Sequence, residues 1–151
     1  MIGNTGPLKE KRISAISLIL LLVLSGCAGQ GIVEDTEKEQ WINTATPIAE
    51  NILQSINNDD YQSFIADFSE QMKNSMPRQS FTELREKLLS VIGAYISSTP
   101  AQVERQGEYI VVYFNAKFEK EENVTVRVVF REDDPTHRVE GLWFDSPKLR
   151  G

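Results

Sequence analysis

The sequence predicts an α+β domain in which three N-terminal helices pack on a curved four-stranded antiparallel sheet. Two observations carry this. Apolar residues recur every three or four positions between Ile48 and Ile92, and then every second position between Ala94 and Phe144. The change of period falls at Gly93. Helices gathered before strands, rather than alternating with them, give segregated layers.

The first helix is expected to start at Thr46, a good N-cap, with Pro47 at the first helical position. Ile48, Ile52, Leu53 and Ile56 share one face, and Asn57-Asn58 stops it. Asp59 or Asp60 caps a second helix, where Tyr61, Phe64, Ile65, Phe68 and Met72 follow the helical spacing. In the third, Ser80 and Glu83 form a capping box, Phe81, Leu84, Leu88, Val91 and Ile92 make the apolar face, and Gly93 supplies a left-handed end.

Four strands follow at 94–105, 108–119, 123–131 and 138–144, separated by Gln106-Gly107, Lys120-Glu121-Glu122 and Asp133-Asp134-Pro135. Alternation sets their faces. Ile110, Val112, Phe114, Ala116 and Phe118 point to one side with Val124, Val126, Val128 and Phe130. Tyr109, Val111, Tyr113, Arg127, Val129 and Arg131 point to the other. In the last strand, strict alternation puts Val139, Gly141 and Trp143 against Leu142 and Phe144, with Trp143 directed inward.

Ahead of this domain, Lys9, Lys11 and Arg12 precede an apolar run at 13–24 and small residues, the layout of a secretory signal at 1–26. Leu24-Ser25-Gly26-Cys27 resembles the lipobox of prokaryotic lipoproteins. That resemblance implies cleavage before Cys27 and acylation of its thiol, with the membrane as partner through the lipid. Two acyl chains anchor stably where one does not. Residues 27–44 are then expected to be a flexible tether and 45–147 the folded domain, held at the outer side of the cytoplasmic membrane or at an outer membrane.

Without 1–26 the chain carries 13 basic and 21 acidic residues, a net charge of −8. An acidic chain argues against nucleic acid and anionic lipid surfaces as partners. Cys27 is the single cysteine and His137 the single histidine, so no disulfide, no cysteine cluster and no multi-histidine metal site is expected. No metal or other cofactor is implied. His137 falls in the turn after Asp133-Asp134, a solvated position whose two carboxylates lack the ligand spacing of a calcium loop.

The order of helices and strands looks like the NTF2-like, cystatin-like roll. The runs Tyr-Ile-Val-Val-Tyr-Phe-Asn-Ala-Lys-Phe at 109–118, 124–130 and Val-Glu-Gly-Leu-Trp-Phe at 139–144 resemble DUF3887, a domain family of unknown function in prokaryotic exported proteins. The resemblance spans about residues 46–146. It implies the fold and, because some members are fused to hydrolase domains, an accessory or binding role. Enzymes of the NTF2-like roll place an acid or base in the cone between helices and sheet. Here the expected inward side chains are apolar, so no catalytic residue is assigned.

Two surfaces are candidates for function. Tyr61, Phe64, Tyr95 and Trp143 are expected to line the mouth of a cone-shaped pocket, as aromatic walls with polar tips suit small ligands. Tyr109, Val111, Tyr113, Arg127, Val129 and Arg131 form a sheet face suited to a homodimer or an envelope protein partner, since Tyr and Arg are favoured at interfaces. The expectation is a lipid-anchored extracytoplasmic binding or interaction module. The alternative is a small enzyme using a carboxylate in the cone.

Overall fold

The computed structural model describes residues 31–151. The signal segment, Cys27 and the first residues of the expected tether lie outside the described residues. The order is α1 (Asp35–Asn58), α2 (Tyr61–Phe64), α3 (Glu70–Ser75), α4 (Arg78–Val91), β1 (Tyr95–Gln106), β2 (Tyr109–Phe118), β3 (Glu121–Arg131), β4 (Val139–Asp145) and α5 (Pro147–Arg150). The strands form one curved antiparallel sheet in the order β1-β2-β3-β4. Among the described residues there are five helices rather than three, and α1 is by far the longest.

Helix α1 begins at Asp35, not at Thr46. Trp41 and Ala45 continue the stripe of Ala49, Ile52, Leu53 and Ile56 by one further turn and more, and all six are buried. Pro47 sits inside the helix, where it removes an N–H and leaves the Asn43 carbonyl without its usual donor. Both residues face solvent, so water can satisfy that carbonyl. The expected tether is therefore folded along much of its length. Gly31 makes an isolated bridge to Arg105 on β1, Val33 is buried, and the Trp41 ring lies 5.6 Å from Phe130.

The expected second helix is broken in two. Phe68 forms a parallel bridge with Val139, its neighbours exchanging Ser69 N–H to Val139 O and Val139 N–H to Asp67 O. Pairing with the sheet pulls this segment out of helical geometry. Asp60 caps α2 by accepting from the Ser63 N–H, and Ser69 caps α3 by accepting from the Met72 N–H. Helix α4 starts at Arg78 after Pro77, so Ser80 lies within the first turn and forms no capping box. Its end is as expected: Gly93 is left-handed at φ 84° and its N–H reaches Leu88 O.

The interior lies between α1, α2, α4 and the inner sheet face. Ile110, Val112, Phe114, Ala116 and Phe118 of β2 and Val124, Val126, Val128 and Phe130 of β3 are almost fully buried there. Phe64 packs between Phe68 and Phe81 with ring centroids 5.1 and 4.7 Å away. Asn57 joins helix to sheet, its side-chain amide donating to the Tyr95 carbonyl and its oxygen accepting from the Tyr95 N–H, at 2.8 and 2.9 Å. Arg85 donates to Ile56 O and Asn57 O, placing a cation at the negative end of α1.

One face assignment is corrected. Phe130 pairs with Val139 but Val129 pairs with Gly141, so Glu140 is an extra residue in β4. This bulge reverses the alternation beyond it. Leu142 and Phe144 therefore sit opposite Val128 and Val126 on the inner face, while Trp143 sits opposite Arg127 on the outer face and is 50% exposed.

Candidate binding recess on the outer sheet face

Register lays the outer face out in three rows. Gln102, Tyr113, Arg127 and Trp143 are successive cross-strand partners, as are Glu104, Val111, Val129 and Gly141. The third row is Gln106, Tyr109 and Arg131. Small side chains in the middle row between large ones on either side make a dish. Its volume is about 510 Å³, and Gln71 of α3 and Glu140 of the bulge complete its rim. Val111 is only 4% exposed, although helices cover the opposite face of the sheet. The shelter comes from the neighbouring rows.

Trp143 leans over Gly141: a Cβ added there would collide with the indole ring. The Arg127 guanidinium lies 5.7 Å from the Trp143 ring centroid, a cation–π distance. Its Nε is buried and has no hydrogen-bond partner. An unpaired buried donor of this kind costs about 1–3 kcal/mol. Tyr113 donates its hydroxyl to Glu104 at 2.8 Å, and burial, followed by that hydrogen bond, raises its phenol above the ordinary value. Arg131 is differently placed. It bonds Glu108 and Asp133 and lies over Tyr109 at the dish's margin, and the Asp133 hydrogen bond raises its already high pKa.

Residues 49–135 match the family described as Protein of unknown function (DUF3887). The chain belongs to the DUF3887 family. Comparison with curated proteins and with solved structures gives no significant match. Within the DUF3887 match lie β1, β2 and β3, and so Val111, Val129 and Arg127, whereas Glu140, Gly141 and Trp143 lie beyond its last residue.

The residues expected to line a cone do not meet. Tyr61 donates its hydroxyl to Met76 O at 3.0 Å, Phe64 is fully buried among phenylalanines, and Trp143 is on the opposite face. Tyr95 is buried, with its hydroxyl donating to Glu50 at 2.6 Å, and lines neither the dish nor the smaller groove bounded by Met76, Leu84, Leu88, Phe144 and, of the four, Trp143 alone. Burial first, then the Glu50 bond, pushes the Tyr95 phenol up to about 12. His137 is half-buried rather than solvated, its ring meeting Trp41 edge-on at 5.3 Å. Asp133 pairs with Arg131, and Asp134 accepts from the N–H groups of Thr136 and Arg138. Among the described residues no cluster of His, Cys, Asp and Glu is placed to hold a metal ion.

Five of the six expected sheet-face residues line the dish: Tyr109, Val111, Tyr113, Arg127 and Val129. Gln71, Gln106, Glu140 and Trp143 were not expected there. Gln106-Gly107 signals a turn and Gly141, a glycine inside a strand pattern, signals a bulge, but neither signal places a side chain in the dish.

Proposed function

We propose that this chain is a lipid-anchored extracytoplasmic module that binds its ligand or partner through the outer face of the sheet. The dish is the observation that supports it, a concavity of small-molecule size in which the aromatic residues Tyr109, Tyr113 and Trp143 stand beside the polar Gln71, Gln106, Arg127 and Glu140. We read the arrangement of helices on a curved sheet as an NTF2-like roll. The anchor rests on Leu24-Ser25-Gly26-Cys27 and the apolar run before it. No described helix is long and apolar enough to cross a membrane.

Fragment screening of the full chain in detergent micelles, read by amide chemical-shift mapping, tests the surface. Binding should perturb the amides of Val111, Val129, Gly141 and their row neighbours together. Perturbations gathered instead around Glu50 and Tyr95 would overturn this assignment and favour an enzyme working between helix and sheet.

A further inference from the structure

We infer that the dish is a site for a small monocarboxylate with an apolar, preferably aromatic, body, a ligand class that rests on the outer-face reading above. Arg127 carries the assignment. Every other described arginine has an oxygen partner: Arg78 with Asp59, Arg105 with Glu37 and Glu132, Arg131 with Glu108 and Asp133, Arg150 with Asp145, and Arg85 and Arg138 with backbone carbonyls. Arg127 has none among the described residues, and its buried Nε is left without an acceptor. That Nε is covered by protein and out of a ligand's reach, but Arg127 as a residue is only half-buried and lines the dish. A guanidinium stacked on a flat ring and lacking a counter-carboxylate is a receptor for a planar oxyanion.

The charge of the site chooses among oxyanions. One unpaired guanidinium balances one negative charge. Glu140 is on the rim and Glu104 is in the middle row, so a phosphate dianion would bring a second charge toward two carboxylates. Arg131 offers no further cation, being matched already by Glu108 and Asp133. A carboxylate meets the condition. The rest of the ligand then lies on Val111 and Val129, between Trp143 and Tyr109, surfaces that accept an apolar or ring-shaped body. The Tyr113 hydroxyl is occupied by Glu104, so it leaves orientation to Arg127.

The chain has two tryptophans on opposite sides of the sheet, which supplies an internal control. The full chain in micelles, labelled with 5-fluorotryptophan, is titrated with 3-phenylpropanoate, indole-3-acetate and hexanoate, then with 3-phenylpropanamide and phenyl phosphate. Because Trp143 also borders the smaller groove, the acids should shift its signal saturably together with the Val111 and Val129 amides, and leave Trp41 in place, with the amide and the phosphate at least about tenfold weaker. A Trp143 shift without those amides places the ligand in the groove and overturns the assignment. Arg127→Gln should weaken the acids by about tenfold or more while the Trp41 signal reports an intact fold. Gly141→Ala, which displaces the indole, should weaken them independently. Equal binding of acid and amide, tighter binding of phenyl phosphate, or acid binding unchanged in Arg127→Gln overturns the carboxylate assignment while leaving the outer face as the binding surface. If none of the probes moves Trp143, the carboxylate assignment fails outright; fragments mapped elsewhere overturn the surface as well.

Discussion

Tyr95 shows how much a single side chain ties together. Its backbone pairs with Asn57 and its hydroxyl with Glu50, so it fixes both ends of a seam between α1 and β1. Its pKa is raised in the fold, to about 12 against an ordinary 10.0. The unfolded chain therefore loses its phenolic proton first. The stabilisation is complete below about pH 10 and fades as pH rises toward about 12. Thermal melts across this interval should show a steeper alkaline loss for the parent chain than for Tyr95→Phe. Parallel curves would mean that another group governs alkaline stability. Phe114 is fully buried on the inner face, and Phe114→Ala should cost about 3–5 kcal/mol in denaturant unfolding. A cost under about 1 kcal/mol would contradict its place in the core. At this scale β2 and β3 were readable because both keep a strict period of two. The inward Ile110, Val112 and Phe114 and the outward Tyr109, Val111 and Tyr113 were assigned by alternation alone.

The elements were less transparent where one residue breaks a rule. Pro47 reads as a helix start because proline is favoured there, yet Trp41 and Ala45 bury enough surface to carry the helix through it. Phe68 keeps a helical spacing with Phe64, but the hydrogen bonds of Asp67 and Ser69 to Val139 hold it at the sheet. Such long-range pairing has no local signature. Glu140 matters most, because one bulged residue moved Trp143 from the expected cone to the dish. Deleting a residue from a strand ordinarily turns every later side chain to the other face. Deleting Glu140 should do the reverse of harm to the register: Val139 stays inward, Gly141 and Trp143 stay outward, and the loss is confined to the Ser69–Glu140 hydrogen bond and the local bend. The 5-fluorotryptophan signal of Trp143 should remain that of a half-exposed ring. A shift to a buried environment would show that the bulge does not set the face.

For the whole molecule, the α+β order, the meander and the segregation of an apolar from a mixed sheet face follow from sequence periodicity, while the dish depends on cross-strand neighbours that periodicity does not reveal. Location rests on the proposed anchor. Cys27→Ser should abolish labelling by palmitate and move the protein out of the membrane fraction. Retention of the uncut variant in the membrane would instead favour a spanning segment.

The bridge between Gly31 and Arg105 bears on how such a protein would sit. Only four Cα steps separate Cys27 from Gly31, a reach of at most about 14 Å even when fully extended. With lipid on Cys27, the domain would ride close-moored at the bilayer rather than on a long line. Arg105 adjoins the hairpin that carries Gln106 and Tyr109, so that end of the dish would lie toward the headgroups, with the Trp143 row farther along the strands. Under that anchor, whatever binds there would have to come down to the membrane surface, because the domain would have too little slack to go out and meet it.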